Sequence, residues 1–174
     1  MFFIMKFFRD VTVSPSDLSK DLKKILKVKL LKHVSGTIHP EDGYFIKILR
    51  VHDEEIKKGI IMEGSGDIIF KMQYDVIVMR PFVGEVAEGI IENVFKEGGI
   101  HVRVGPMVVY IDGNQIPHAY NFDKNNESYL NEKNGTELKK GIKIRFRYTE
   151  IQIDNGEFKP IGTILDDYLG YNQD

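Results

Sequence analysis

A single proline sets the outline of this chain. Residues 67–74 and 76–79 are dense in Ile, Val, Phe and Tyr, and this strand-forming run meets Arg80-Pro81-Phe82. Proline has no N–H to give to a ladder and cannot continue a central strand, so a sheet built from that run must stop there. The sequence therefore predicts a division near Pro81, with residues 1–80 and 81–174 as separate domains. With 42% hydrophobic and 29% charged residues, 174 residues hold apolar material for a core and exclude a disordered tail, a fibre and a membrane-embedded bundle. The absence of cysteine excludes a disulfide framework and a zinc site built on thiolates.

The first half reads as strand, helix and three strands, a small α+β domain. β-forming residues run over 2–13. Ser14-Pro15 with Asp17 then offer a capping oxygen, a fixed φ and a first-turn acid, so a helix is expected to start there. Leu18, Leu22, Ile25, Leu26, Leu30, Leu31 and Val34 recur at helical spacing, and Gly36 is the expected stop. Lys20, Lys23, Lys24 and Lys27 sit elsewhere on the circumference, as a solvated surface or as an anion-binding face. Strands follow at 44–51, 67–74 and 76–79, broken by Glu41-Asp42-Gly43 and Gly64-Ser65-Gly66. The opening Met1-Phe2-Phe3-Ile4-Met5 is too short for a signal-peptide core and runs into Lys6 and Arg9, which reads as an intracellular protein.

The second half changes character. Short strands are expected at 85–94, 99–104, 108–111, 142–153 and 158–165, a count that suits a five-stranded OB-type barrel. Gly89 permits a sharp strand bend, and Asp154-Asn155-Gly156 supplies a tight hairpin turn. The segment 118–140, rich in Asn, Lys and Glu, reads as a long loop inserted between the third and fourth strands.

Catalytic groupings are scarce. His33, His39, His52, His101 and His118 lack metal-binding spacing, and the chain has no phosphate-binding loop, no G-x-S-x-G and no cysteine nucleophile. Asp166-Asp167 is the remaining enzyme candidate, as the Mg²⁺ holder of a nuclease. Adjacent residues on an extended segment point to opposite faces, however, which argues against a shared ion. Single-stranded nucleic acid fits better, since barrels bind it by stacking bases on aromatics beside a cationic groove. The candidates are Tyr110 on the third strand, His101 and Arg103 on one side of the second, Arg145 and Arg147 on one side of the fourth, and Phe95 and Lys96 in the first connection. The competing assignment makes these residues a solvated exterior around a core Phe146. The second half carries 10 Lys and Arg against 15 Asp and Glu, the first 14 against 11, so RNA contact must come from a local patch.

Specific blocks add a resemblance. Met1-Phe2-Phe3, Pro15, Gly36-Thr37 and Gly43-Tyr44 are followed by Tyr74-Asp75-Val76-Ile77-Val78-Met79-Arg80-Pro81-Phe82-Val83-Gly84-Glu85-Val86. Then come Val104-Gly105-Pro106-Met107, Ile116-Pro117, Ile161-Gly162-Thr163 and Asp166-Asp167-Tyr168-Leu169-Gly170. In this order the chain resembles the seventh subunits of eukaryotic RNA polymerase II and, more distantly, their counterparts in archaeal RNA polymerase and in polymerases I and III. The resemblance implies a ribonucleoprotein-like tip domain over 1–80 and an S1-type OB domain over 81–174. It implies a nuclear, non-catalytic subunit without cofactor that pairs with the fourth subunit as a stalk, docks on the core near the RNA exit path, supports initiation and contacts nascent RNA. Ser14, Pro15, Glu63, Gly64, Ser65 and Gly66 are then the expected core-facing loops, with the glycines allowing close backbone approach. One departure is Gly98-Gly99-Ile100, where the S1-type pattern carries an aromatic after its glycine. The alternatives are the counterpart in polymerase III or in the archaeal enzyme, against which the Asp-Asp-Tyr-Leu-Gly ending speaks, and a free-standing S1-type RNA-binding protein, which would not need the first 80 residues.

Overall fold

The computed structural model describes residues 1–18, 21–34, 36–39, 41–52, 59–96 and 98–171. It separates into two compact units, Met1–Arg80 and Pro81–Asp174. One α-helix is present among the described residues, and strands dominate both units.

The first unit contains β1 (Phe2–Val13), α1 (Leu22–Val34), β2 (Ile38–His39), β3 (Gly43–Val51), β4 (Ile60–Ile61) and β5 (Ile68–Met79). β5 is the central strand, with β1 and β3 antiparallel on its two sides, β2 beyond β3, and β4 against its first residues. β1 and β5 pair along their whole length, from Phe2 opposite Met79 to Val13 opposite Ile68. The break expected at Asp75 does not occur, because Tyr74, Val76 and Val78 are all buried and the apolar alternation carries straight through. One face of the sheet takes α1, whose Leu26, Leu30 and Val34 pack with Val13, Phe45, Met72 and Val78. Burying each such side chain is worth about 1.5–3 kcal/mol.

The helix starts later than the capping signal implies. Pro15–Asp17 form only a 3₁₀ turn, and Leu18 is already extended, with ψ 106°. The Ser14 hydroxyl pairs with the Ser16 hydroxyl at 2.8 Å rather than capping a backbone N–H, while the Asp17 carboxylate accepts from Lys29 Nζ at 2.8 Å. The local signal thus yields a turn latched to the helix rather than its first turn. Leu18 and Leu31 are exposed and fall off the buried stripe. Of the lysine run, Lys20 lies outside the described residues, and Lys23, Lys24 and Lys27 line a shallow surface hollow with Asp21 and Leu22. Gly36 does follow the helix, at φ +77°.

The second unit contains β6 (Val86–Phe95), β7 (Gly99–Val104), β8 (Met107–Ile111), β9 (Tyr120–Asp123), β10 (Ser128–Asn131), β11 (Glu137–Leu138), β12 (Lys143–Asp154), β13 (Glu157–Thr163) and β14 (Gly170–Tyr171). β6 pairs with β7, β7 with β8, β8 in parallel with β13, β13 with β12, and β12 again with β6, so five strands pair in a closed ring. β12 serves two neighbours: Lys143 to Arg147 face β6, and Arg147 to Asp154 face β13, with a register shift between Tyr148 and Glu150 where the strand bends. Ile91, Ile100, Val102, Ile111, Ile144 and Phe146 fill the interior. Gly89 lies where a Cβ would come within 2.5 Å of Val102 Cγ1 and 2.8 Å of the Arg103 carbonyl, so glycine there lets β6 lie hard against β7, and the irregularity in their pairing falls further on, between Ile91 and Asn93.

Residues 118–140 are not a loop. They form an antiparallel three-stranded sheet in the order β11-β10-β9. Tyr129 and Leu138 enter the same core as the ring, and the buried Ser128 hydroxyl donates to Glu137 Oε1 at 2.7 Å. Strands of two to four residues with polar buried positions leave too little alternation to detect.

Candidate nucleic-acid interface and docking loops

β7 and β8 present alternate residues outward, and their register sets His101 directly opposite Tyr110 and Arg103 opposite Val108. The His101 ring meets the Tyr110 ring edge-on at 5.7 Å, and Phe95, the last residue of β6, meets His101 at 4.6 Å and 72°. Three aromatic rings thus run as a ladder across the outer face of β6, β7 and β8. Aromatic pairs in this tilted geometry hold one another in place, which fixes the orientation of the three rings. The position after Gly99, where the S1-type pattern has its aromatic, holds the fully buried Ile100, and the neighbouring outward residue His101 stands in the ladder instead.

The ladder is tuned toward neutrality. Burial holds the His101 imidazole below the ordinary histidine value, against the weaker opposite pull of Glu92. Burial, and then the Asp112 carboxylate, push the Tyr110 phenol up. The Tyr110 hydroxyl bonds the Gly98 carbonyl and lies 3.3 Å from Asp112 Oδ2, which ties the ring to the turn that precedes β7. Beside the ladder a groove of about 390 Å³ is lined by His101, Val108, Tyr110, Gln152, Pro160 and Lys159.

The three arginines expected to meet phosphates are all committed. Arg103 pairs with Glu92 at 2.5 Å, Arg145 with Glu88 at 2.9 Å, and Arg147 with Asp166 at 2.7 Å. Glu88 also takes Lys143 at 2.6 Å, and hydrogen bonds from Lys143 and then Arg145 hold its carboxyl below the ordinary glutamate range. The Arg103 guanidinium does the same for Glu92. These exposed pairs contribute little to stability, but they lower the free positive charge of the face. Phe146, between Arg145 and Arg147 in sequence, is fully buried, so the arginines lie on the exterior and Phe146 in the core. Asp166 is an arginine partner. Lys96, exposed at the end of the ladder, has no carboxylate partner among the described residues.

Sequence reasoning did not identify Gln152 and Lys159, which reach the groove only through the β13 pairings. Nor did it find a second cleft of about 380 Å³ lined by Asn93, Phe95, Asn126, Glu127, Lys139 and Lys140. The Lys139-Lys140 pair was visible in the sequence, but its proximity to Phe95 depends on how the inserted sheet folds.

The docking candidates in the first unit are brought together. Val13 and Ile61 both pair with Ile68, so the Ser14-Pro15 turn and the Glu63 to Gly66 turn leave the same end of the sheet, and a Cβ on Gly66 would lie 3.7 Å from Pro15 Cγ. Gly64 and Gly66 sit at φ +93° and +75°, and no atom lies within 4 Å of a Gly64 Cβ. Left-handed backbone by itself calls for glycine at both positions. Ile60, Ile61, Met62 and Leu18 are exposed at or near the same turns, and Phe2, Ile4 and Phe8 are exposed along β1.

Comparison with known proteins identifies the family. The family described as the SHS2 domain found in the N terminus of Rpb7p/Rpc25p/MJ0397 matches residues 9–66. The DNA-directed RNA polymerase II subunit RPB7 of Glycine max is 30% identical over 100% of this chain and 98% of its own length. The subunits of the same name from Saccharomyces cerevisiae and Schizosaccharomyces pombe are 31% and 32% identical, covering 98% and 97% of this chain and 99% and 98% of their own lengths. A first unit that matches the SHS2 domain, a strand-rich second unit and end-to-end identity of 30% to 32% lead to one conclusion: the chain belongs to the family of RNA polymerase II subunit 7.

Proposed function

We propose that this chain is a non-catalytic subunit of nuclear DNA-directed RNA polymerase II, forming with the fourth subunit a stalk that supports initiation and contacts nascent RNA. The carrying observation is that relatives named as this subunit match the chain over nearly its whole length and nearly all of their own. In this reading Met1–Arg80 is the ribonucleoprotein-like tip domain and Pro81–Asp174 an S1-type OB domain, its five strands pairing in a ring.

The adjoining turns at Ser14, Pro15 and Glu63, Gly64, Ser65, Gly66 are the core-facing tip, with Ile60, Ile61 and Met62 supplying the apolar area that a stable interface needs. The exposed apolar face of β1 and its position at the edge of the sheet among the described residues support the pairing with the fourth subunit. On the second unit, Phe95, His101 and Tyr110 stack single-stranded RNA bases, each stacked base being worth about 1–3 kcal/mol. With Arg103, Arg145 and Arg147 already paired, RNA phosphates must displace Glu92, Glu88 or Asp166 to reach them, which keeps binding weak and sequence-tolerant.

The test is affinity purification of the tagged chain from nuclear extract with quantitative mass spectrometry. Recovery of the fourth subunit and the polymerase II core in comparable amounts is expected. Recovery with ribosomes or decay factors and no polymerase would sink the reading in favour of a free-standing RNA-binding protein.

A further inference from the structure

The aromatic ladder ends at Phe95, which is its most exposed ring and also a wall of the second cleft. That cleft differs chemically from the groove at the Tyr110 end. Its polar lining comes from Asn93, Asn126, Lys139 and Lys140, with one carboxylate residue, Glu127, among them. Lys139 is paired with Glu137 at 2.7 Å, whereas Lys140 forms no ion pair among the described residues, and Lys96 follows Phe95 directly in the chain, likewise unpaired. Lys140 acts on Glu92 only from a distance, helping to hold that carboxyl below its ordinary range. Positive charge without a direct ion pair among the described residues therefore adjoins the ladder at its Phe95 end, while Arg103, Arg145 and Arg147 are paired with Glu92, Glu88 and Asp166.

We infer that the cleft between β6 and the inserted β9-β10-β11 sheet is a second subsite for single-stranded RNA, in which Lys140 takes a backbone phosphate of a strand whose neighbouring bases lie on Phe95, His101 and Tyr110. The inference rests on the RNA-contact reading above and assigns a role to the inserted sheet, which holds Asn126 and the approach to Lys139 and Lys140 against the end of the ladder. Hydrogen bonds from Asn126 Nδ2 and the Asn125 N–H to Asp123 brace the β9-β10 turn that carries Asn126 and Glu127. A strand crossing both subsites is polar-bound at one end and stacked at the other. Its affinity then grows with length beyond what the ladder alone supplies, within the range of about 4–16 nucleotides typical of one OB-type fold.

The experiment is fluorescence anisotropy on the full chain in complex with the fourth subunit, using labelled RNA oligonucleotides of about 4 and about 12 nucleotides at several salt concentrations. The variants are Lys140→Gln, Lys140→Arg, Tyr110→Ala and, as a charge-matched control outside the cleft, Lys133→Gln. Lys140→Gln should weaken the longer RNA about threefold to fivefold at physiological salt and reduce the magnitude of the salt slope by about 0.7, the share of one phosphate contact on a single strand. Lys140→Arg should restore both, and Lys133→Gln should change neither. Tyr110→Ala should weaken RNA binding with the slope unchanged. If Tyr110→Ala weakens binding while Lys140→Gln does not, the second subsite is wrong and the ladder stands. Equal effects of Lys140→Gln and Lys133→Gln would reduce the cleft to general charge and overturn it as well. If no variant changes affinity or slope, both the subsite and the ladder are wrong.

Discussion

At the scale of single residues, His101 and Gly99 carry the most specific consequences. Because burial keeps the folded pKa of His101 below its ordinary value of 6.5, the neutral ring is favoured in the native state. The unfolded chain then binds a proton first as pH falls. The stability associated with the half-buried neutral ring is fully present above 6.5 and is lost as pH drops through the lower folded value. The urea midpoint of the wild type should therefore fall further between pH 7.5 and pH 5 than that of His101→Phe, and identical pH dependence would remove His101 as the cause. Gly99 is a steric matter. At φ +110°, its Cβ would sit 2.0 Å from the Ile111 carbonyl oxygen and 2.8 Å from the Gly113 nitrogen. Backbone cannot yield as a flexible side chain does, so Gly99→Ala should cost about 3 kcal/mol or more, read as a melting temperature lower by roughly 10 °C. A drop of only a degree or two would mean that the turn relaxes freely.

At the scale of elements, the hairpin joining β12 to β13 shows local sequence deciding structure. Asn155 and Gly156 both have positive φ, +52° and +79°, between Asp154 and its cross-strand partner Glu157, the two-residue turn whose twist matches the flanking strands. No atom lies within 4 Å of a Gly156 Cβ, so a substitution there meets only the left-handed backbone cost. Gly156→Val should lower stability by about 1–2 kcal/mol in chemical denaturation, and Gly156→Asn by visibly less, because Asn tolerates this region. Equal losses would point to a clash. The helix start shows the reverse situation. Ser14, Pro15 and Asp17 are good helix-starting residues, yet Ser14 pairs with Ser16 and Asp17 accepts from Lys29 in a turn, and the helix begins at Leu22.

At the scale of the whole molecule, the prediction concerns the tip. Gly64→Val combined with Gly66→Val puts branched side chains at positive φ, the second beside Pro15, which should reduce retention of the polymerase core by about tenfold, the effect of roughly one to two kcal/mol of misfit. Pairing with the fourth subunit, proposed to use the β1 face, should be unaffected. Co-purification of both partners from one extract measures the two effects side by side, and unchanged core retention would move the docking surface elsewhere.

Whatever depends on neighbours along the chain was legible in the sequence. The alternation of residues 2–13 and 99–104 became strands with those bounds, the Asn155-Gly156 turn followed from backbone chemistry, and Gly36 marked the helix end. The outward side of His101, Arg103 and Tyr110 followed from the period of two, because a strand cannot place alternate residues otherwise. Only the tertiary structure decided what those side chains meet. Arg103, Arg145 and Arg147 read as free cations until the ring set carboxylates against them. Residues 118–140 read as a loop until Tyr129 and Leu138 found the core of the ring, and Lys140 came to share a cleft with Phe95 through strands of two to four residues. Ion pairing, burial of short strands and cleft formation depend on through-space distances between residues far apart in sequence, and no local pattern encodes those distances.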